Sequence, residues 1–308
     1  MTQDRAAFAN AVRAGRTVWT AGVYDALSAK LAEEAGFKAV MTSGFAVSAS
    51  LLGLPDVELY TMTENLGVVR NVANAVKVPV VADTDTGYGN AINVMRTVRE
   101  FEQAGASAVI FEDQEVPKRC PAVASSLSIL PIHESAAKIR AAVHARQDPD
   151  LVIVARTDAI DVEDAIARAK AYVEAGADLI QPISRCFTHL ADLQRLRQAC
   201  GVPLSLQVLG WLEKDLSAAD VESVAGLAVY PLVGLMTATH SLRQNFQALH
   251  QQHSTQHLPL PVTSMSDFKQ FIGFAEVEQL QAQFLVGEPT QKNACLLYTS
   301  DAADDTPC

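Results

Sequence analysis

The sequence predicts a closed barrel of eight parallel strands alternating with helices, a (β/α)8 fold of the TIM type, with a helical extension after the last strand. Three observations carry this. A phrase in which a helical segment ends at Ala-Gly and a β-rich run follows occurs at EEAGFKAVMTS (33–43), EQAGASAVIFED (102–113), VEAGADLIQPI (173–183) and, more weakly, SVAGLAVYPLV (223–233). The further apolar runs TVWTAGV (17–23), KVPVVADTD (77–85), LVIVARTD (151–158) and GVPLSLQV (201–208) bring the strands to eight. These runs are almost continuously apolar, as strands covered on both faces of a parallel sheet should be. Eight such units favour closure over a doubly wound open sheet.

Each glycine of the repeated phrase is expected to end its helix in the left-handed conformation. Between strands the pattern is helical. In VEDAIARAKAYVEAG (162–176), Ile166, Ala169 and Val173 recur on one helical face. The barrel is expected to occupy 1–252. A helix over about 237–251, a polar linker over 253–264 and a helical extension over 265–290 complete the reading, with one continuous helix expected over 265–285. The Phe and Leu residues of that extension need a covering surface, and a neighbouring subunit is one solution, which predicts a homo-oligomer.

Composition sets bounds on partners. The chain has 308 residues, 49% hydrophobic and 19% charged, enough for one barrel of ~250 residues. No apolar run reaches the ~18 residues of a membrane span, and the N-terminus lacks a hydrophobic signal core, so a cytoplasmic location is expected. A net charge of −11 argues against nucleic-acid and anionic-membrane partners, but not against a small anionic substrate held by local cations. The five cysteines, at 120, 186, 200, 295 and 308, show no CxxC spacing and read as free thiols. The segment 295–308, CLLYTSDAADDTPC, resembles an in-frame translation of a sequencing-library adapter and is expected to be non-native.

The chemistry is expected at the C-terminal strand ends, where barrels of this type carry their active sites. The second strand ends in Thr42, Ser43 and Gly44, the third in Asp83 and Asp85, the fourth in Glu112 and Asp113, and the fifth in Arg156 and Asp158. All are expected to converge on one mouth. Several carboxylates held together repel unless a cation neutralises them. Oxygen ligands without His or Cys suit Mg²⁺, or Mn²⁺, and not Zn²⁺. The alternative is that Asp85 and Asp113 cap the helices that follow.

In DTDTGYGN (83–90), Gly87 and Gly89 allow a tight turn, and a helix starting near Asn90 would offer free N–H groups to an anion. The segment 112–131 is long for a strand–helix connection, a length usual in lids and binding loops. It holds Lys118, Arg119 and Cys120 together. Flanking cations favour thiolate; the other reading is a solvated charge pair beside an incidental thiol. Arg156 either grips a substrate carboxylate or pairs with a neighbouring acid. His133 and His144 are expected on a solvent-facing helix, Cys186 and Cys200 as core or surface thiols, and Trp211 and Glu213 as possible pocket lining.

SGFAVSASLLGLPD (43–56), DTDTGYGN (83–90), EDQ…PKRC (112–120) and ARTDA (155–159) together resemble the isocitrate lyase and phosphoenolpyruvate mutase superfamily, over residues 8 to 285. The resemblance implies that Asp85 ligates Mg²⁺ directly, with Asp56, Asp83 and Glu112 as additional or water-mediated ligands. It implies that Ser43, Gly44 and Phe45 bind the substrate carboxylate with Asp83 beside it, and that Arg156 stabilises an enolate. Lys118 and Cys120 would lie on a gating loop, Cys120 acting as acid or base. The substrate implied is a small 2-oxo or 2-hydroxy dicarboxylic acid, and the assembly a dimer of dimers with exchanged C-terminal helices. Two departures matter. Ala122 stands where lyases of the superfamily carry His, and Gln181-Pro182-Ile183 where methylisocitrate enzymes carry Glu. Both count against isocitrate and methylisocitrate and point towards 2-alkylmalates or oxaloacetate. Oxaloacetate decarboxylation is the alternative, and phosphonate chemistry a more distant one.

Overall fold

The computed structural model of the chain describes residues 4–121, 126–183 and 186–285. Ala122, residues 286–290 of the expected extension and the segment 295–308 lie outside the described residues. The first half runs α1 (Arg5–Arg13), β1 (Val18–Val23), α2 (Ala26–Glu34), β2 (Val40–Thr42), α3 (Gly44–Leu52), α4 (Met62–Ala75), β3 (Val80–Asp83), α5 (Ala91–Gln103) and β4 (Ala108–Glu112). It continues through α6 (Ile132–Ala145), β5 (Val152–Thr157), α7 (Val162–Glu174), β6 (Leu179–Pro182), α8 (Leu190–Cys200) and β7 (Leu204–Gln207). The last elements are α9 (Trp211–Asp215), α10 (Ala218–Glu222), β8 (Ala225–Tyr230), α11 (Val233–Gln252), α12 (Met265–Ile272) and α13 (Phe274–Phe284).

The eight strands are parallel and close in sequence order, β8 pairing with β1. All eight expected strands form. Two apolar layers hold them. One lies between the sheet and its helices and takes in Val80, Ala82, Val109, Phe111, Ile153 and Ala155. The other fills the barrel interior with Met41, Val81, Ile110, Val154, Leu179 and Val229. Phe8, Ala9 and Val12 of α1 join that interior layer, so α1 plugs the N-terminal end of the barrel. The opposite end is left for polar side chains.

Three glycines of the repeated phrase behave as expected. Gly36, Gly105 and Gly176 follow their helices with φ of 96°, 103° and 101°. The fourth does not. Gly226 lies inside β8, and a Cβ there would meet the Val12 carbonyl oxygen at 2.2 Å; its role is to let α1 approach the barrel floor.

The chain separates into two compact units between Thr237 and Ala238, within α11. In the second unit, the Asn245 side chain exchanges two hydrogen bonds with the Leu260 backbone. The single helix expected over 265–285 is two helices, because Gly273 adopts φ 93° and ends α12. Among the described residues no helix is long and apolar enough to cross a membrane.

Candidate active site

Strand parity decides which side chains reach the open end. Met41, Val81, Ile110, Val154 and Leu179 face the barrel interior. Successive side chains alternate between faces, so Ser43, Asp83, Glu112, Arg156 and Gln181, two residues further on, share that interior at the C-terminal rim. Val109 and Phe111 face the helices, and Asp113 shares their parity. The expectation that Asp113 joins the mouth is therefore corrected. Its carboxylate accepts the Tyr172 hydroxyl at 2.7 Å, Arg168 Nη1 at 3.3 Å and the Asp158 N–H at 2.9 Å. It ties β4, β5 and α7 together. Neither Asp85 nor Asp113 caps a helix: Asn90 caps α5 and Pro131 precedes α6.

The remaining acids gather around a lysine. Lys118 Nζ lies 2.5 Å from Asp85 Oδ1, 2.9 Å from Asp56 Oδ1 and 3.9 Å from Glu112 Oε1. All four side chains are buried. Burial disfavours a charged lysine, but Asp85, Glu112, Asp56 and Asp83 outweigh it and raise the Lys118 pKa above its ordinary value. The cation demanded by the clustered carboxylates is thus present within the chain. Among the described residues no group of three or more His, Cys, Asp or Glu side chains is arranged to hold a metal ion. The expected metal set (Asp56, Asp83, Asp85 and Glu112) surrounds an ammonium in this conformation.

Arg156 is similarly engaged. Nη1 lies 2.5 Å from Glu112 Oε2, and Nη2 donates to Asp158 Oδ1 at 2.7 Å. Of the two readings of Arg156, pairing with neighbouring acids is the one realised here. Its Nε is buried without a hydrogen-bond partner. Glu112 sits between the two cations, with burial pushing its pKa up against the pull of Arg156 and Lys118.

Asp83 is held by backbone. It accepts the Gly44 N–H at 3.2 Å and the Asp85 N–H at 3.1 Å. Burial and the neighbouring Asp85 nevertheless raise its pKa to about 6. The start of α3 therefore points at Asp83, with Ser43 as an N-cap whose side chain makes no cap bond. Gly44 must lack a side chain: a Cβ would lie 2.9 Å from both Asp83 Oδ2 and the Tyr60 hydroxyl. Phe45, the next residue of α3, completes the expected anion-binding turn in sequence. The helix after DTDTGYGN is not such a site, because the Asn90 side chain already accepts the Ile92 and Asn93 N–H groups.

Three groups at this rim escaped sequence reasoning. The Tyr60 hydroxyl is buried beside Asp85, and burial with that charge raises its pKa. The Tyr88 hydroxyl donates to Asp85 Oδ2 at 3.4 Å and accepts from Asn65 Nδ2 at 2.8 Å. Asn65 also donates to the Asp83 carbonyl. Tyr88 lies within DTDTGYGN, where the carboxylates and glycines but not the tyrosine carry the sequence reading, and its backbone adopts φ 59°. Tyr60 carries no motif at all.

Cys120 is buried on the same segment as Lys118. That segment is held by an antiparallel bridge between Gln114 and Ile129 and by Gln114 Oε1 accepting the Arg119 N–H at 2.9 Å. Gln181 Oε1 accepts from Ser205 Oγ at 2.9 Å and from Gln207 Nε2 at 3.3 Å, making a neutral polar wall. Trp211 packs partly buried against the outer core and Glu213 is exposed, both on α9 just after β7. His133 and His144 are exposed as expected.

Comparison with known proteins agrees with this architecture. The phosphoenolpyruvate phosphomutase family matches residues 8–256. The chain is 36% identical to 2,3-dimethylmalate lyase of Eubacterium barkeri over 86% of this chain and 93% of that protein. It is 34% identical to oxaloacetate decarboxylase of Ectopseudomonas mendocina over 85% and 89%. A solved structure of phosphonopyruvate hydrolase with oxalate and Mg²⁺ superposes with a TM-score of 0.83 at 31% identity, covering 92% of this chain and 100% of that one. The chain belongs to the phosphoenolpyruvate mutase and isocitrate lyase superfamily, a family of lyases and mutases.

Proposed function

We propose that this protein is a Mg²⁺-dependent lyase that breaks a C–C bond in a small 2-hydroxy or 2-oxo dicarboxylic acid of the 2-alkylmalate or oxaloacetate type. The observation that carries this reading is the buried set of Asp56, Asp85 and Glu112 around one cationic centre, with Asp83 and Arg156 beside it. The donor set fits a hard divalent ion. Asp56 Oδ1, Asp85 Oδ1 and both Glu112 oxygens are buried without a hydrogen bond, their cationic contacts being close but poorly directed. Mg²⁺ and Mn²⁺ accept one or two carboxylates with water completing the shell. Asp85 would ligate directly, and Asp56, Asp83 and Glu112 directly or through water.

The bound ion would supply Lewis-acid polarisation of the substrate oxygens. The protein does the rest. The first turn of α3 would receive the substrate carboxylate, the Gly44 N–H passing to it from Asp83 Oδ2 while the Ser43 N–H stays on the Val23 carbonyl. Arg156 exchanges one of its acid partners for the negative charge that develops on the enolate. A carboxylate of the rim takes the proton of the substrate's 2-hydroxyl as that carbon becomes a carbonyl, the C–C bonding pair passes to the departing fragment, and Cys120 gives its proton to the carbon that receives the pair. Lys118 would have to give up its contact with Asp85 for an ion to bind there. The assembly is a homo-oligomer: Phe246, Phe274, Val277, Leu280 and Phe284 on α11 and α13 are exposed, and further copies would cover them.

Oxaloacetate decarboxylation is a second reading, supported by the 34% identity to the oxaloacetate decarboxylase of Ectopseudomonas mendocina; the neutral wall at Gln181 counts only against methylisocitrate. Decarboxylation needs enolate stabilisation but no thiol acid. One experiment tests both. Pyruvate release is followed with Mg²⁺ and oxaloacetate, 2,3-dimethylmalate, 2-methylisocitrate or phosphonopyruvate, in the parent and in Cys120→Ser. The lyase reading expects turnover of a 2-alkylmalate that the substitution abolishes while Mg²⁺ binding persists. Full activity in the variant removes Cys120 from the mechanism, and oxaloacetate-only turnover establishes the decarboxylase.

A further inference from the structure

Glu58 stands out by its backbone. It adopts φ 60°, a conformation that disfavours any residue with a Cβ. Strain of this kind persists only where surrounding contacts over-determine it. Here both carboxylate oxygens are used. Oε1 accepts the Thr86 hydroxyl at 2.5 Å, and Oε2 accepts the backbone N–H of Lys118 at 2.9 Å. Thr86 belongs to the buried turn that follows Asp83 and Asp85. One carboxylate therefore joins the fixed wall of the acidic nest to the main chain of the residue whose ammonium fills it. Lys138 of α6 is buried with no hydrogen-bond partner on its side-chain nitrogen, and burial lowers its pKa against the pull of Glu58 and Glu112.

We infer that Glu58 is a positioning residue that fastens the Lys118 segment to the β3 turn, holding Lys118 in the nest. The fastening acts on backbone, so it sets where Lys118 and Cys120 sit without touching substrate. It rests on the reading of this rim as the active site, but the contact itself is independent of which reaction occurs there. The sequence offered no cue, because Glu58 lies in LPDVELYT outside every motif and its use depends on a left-handed turn.

Glu58→Gly isolates the contact from the strain. Glycine removes both hydrogen bonds and relaxes the positive φ, so the fold need not suffer. The readout is the rate of trypsin cleavage after Lys118 or Arg119, located by mass spectrometry, in the full chain with EDTA. Cleavage in the folded protein follows the population of the opened segment. Loss of a charge-assisted hydrogen bond predicts a rise on the order of tenfold, with the thermal midpoint unchanged or higher. Glu58→Gln keeps one acceptor oxygen and falls between parent and Glu58→Gly. Unchanged cleavage in Glu58→Gly overturns the inference, as does acceleration spread over all tryptic sites with a lowered midpoint. A glutamine variant that protects no better than glycine overturns the acceptor role. With an active substrate, kcat falls in Glu58→Gly and is partly restored in Glu58→Gln. Segment opening in a chain that turns over no oxo acid leaves the fastening standing and removes the reaction reading instead.

Discussion

Lys118 Nζ and Asp85 Oδ1 meet at 2.5 Å in a pocket where neither side chain is more than a few per cent exposed. A residue read as part of a gating loop and one read as the direct metal ligand are thus each other's counter-ions. Two cations then compete for one carboxylate. The intrinsic one is always available, and on the proposed reading a divalent ion would have to displace it.

Lys118→Met tests that competition. Removing one partner of a buried ion cluster leaves uncompensated charge, at a cost of about 3–5 kcal/mol. The variant is expected to melt well below the parent in EDTA. A ligand bound only by the folded state stabilises it in proportion to its occupancy, so saturating Mg²⁺ should return most of the lost midpoint. Thermal melts with and without Mg²⁺ read both effects. A variant that melts with the parent in EDTA shows that Lys118 was not neutralising the nest.

Asp83 predicts a pH dependence with a defined sign. Its pKa rises from 3.8 to about 6 through burial and the neighbouring Asp85. A carboxyl raised on folding stabilises the fold when protonated, so its contribution is complete below about pH 4 and gone once the pH passes 6. Asp83→Asn keeps an acceptor for Gly44 and Asp85 but removes the charge. In EDTA it should be more stable than the parent at pH 7, on the order of 2–3 kcal/mol, and the difference should vanish near pH 4. Mg²⁺ affinity of the parent should move oppositely, falling from pH 7 to pH 5 because ligands must be deprotonated. Calorimetry and melts at a series of pH values check both slopes.

Gly44 separates helix propensity from site geometry. Alanine would help an ordinary helix by up to ~1 kcal/mol, but here its Cβ would press on Asp83 Oδ2 and the Tyr60 hydroxyl at 2.9 Å, and on Asp85 Oδ1 at 3.2 Å. Overpacking costs typically 1–3 kcal/mol, so clash wins. Gly44→Ala should lower the midpoint modestly and, on the proposed reading, weaken binding of Mg²⁺ and of a 2-oxo dicarboxylate at least tenfold. Calorimetric titration with each ligand measures it, and unaltered affinity would mean the start of α3 lies away from the site.

Much of this was readable in the chain because parallel strands repeat and alternate. The eight apolar runs gave the barrel, and Asp83, Asp85, Glu112 and Arg156 fell at strand ends that converge. What resisted reading is what depends on direction and on non-local contact. The two-residue period, applied from Ile110, would have put Glu112 inside and Asp113 outside. Reading the strand end as a single cluster missed that. Tyr60 reaches Asp85 from a connection with no periodicity. Lys118 reaches the nest from a segment tied down by the Gln114–Ile129 bridge and by Glu58, contacts that no spacing encodes. Gly226 looked like a helix stop because its neighbours match three true stops, yet its constraint comes from Val12, far away in sequence.

Asp113 carries the clearest separation of stability from chemistry. Its carboxylate is enclosed by Tyr172, Arg168 and the Asp158 N–H, and its own carbonyl accepts the Leu130 N–H at 2.8 Å. Arg168 Nη1 also donates to the Leu130 carbonyl, so one cluster closes the far end of the 112–131 segment onto α7. Asp113→Ala leaves the buried Tyr172 hydroxyl without its carboxylate acceptor and Arg168 with only Asp164 and the Leu130 carbonyl, at a cost of about 1–3 kcal/mol. Asp113→Asn, which retains an acceptor, should cost less. In both variants Mg²⁺ affinity, measured well below the melting range, should stay within about threefold of the parent, because parity keeps this side chain out of the mouth. A loss of metal binding matching that of Asp85→Asn would place Asp113 among the ligands after all and reverse the assignment made from strand direction.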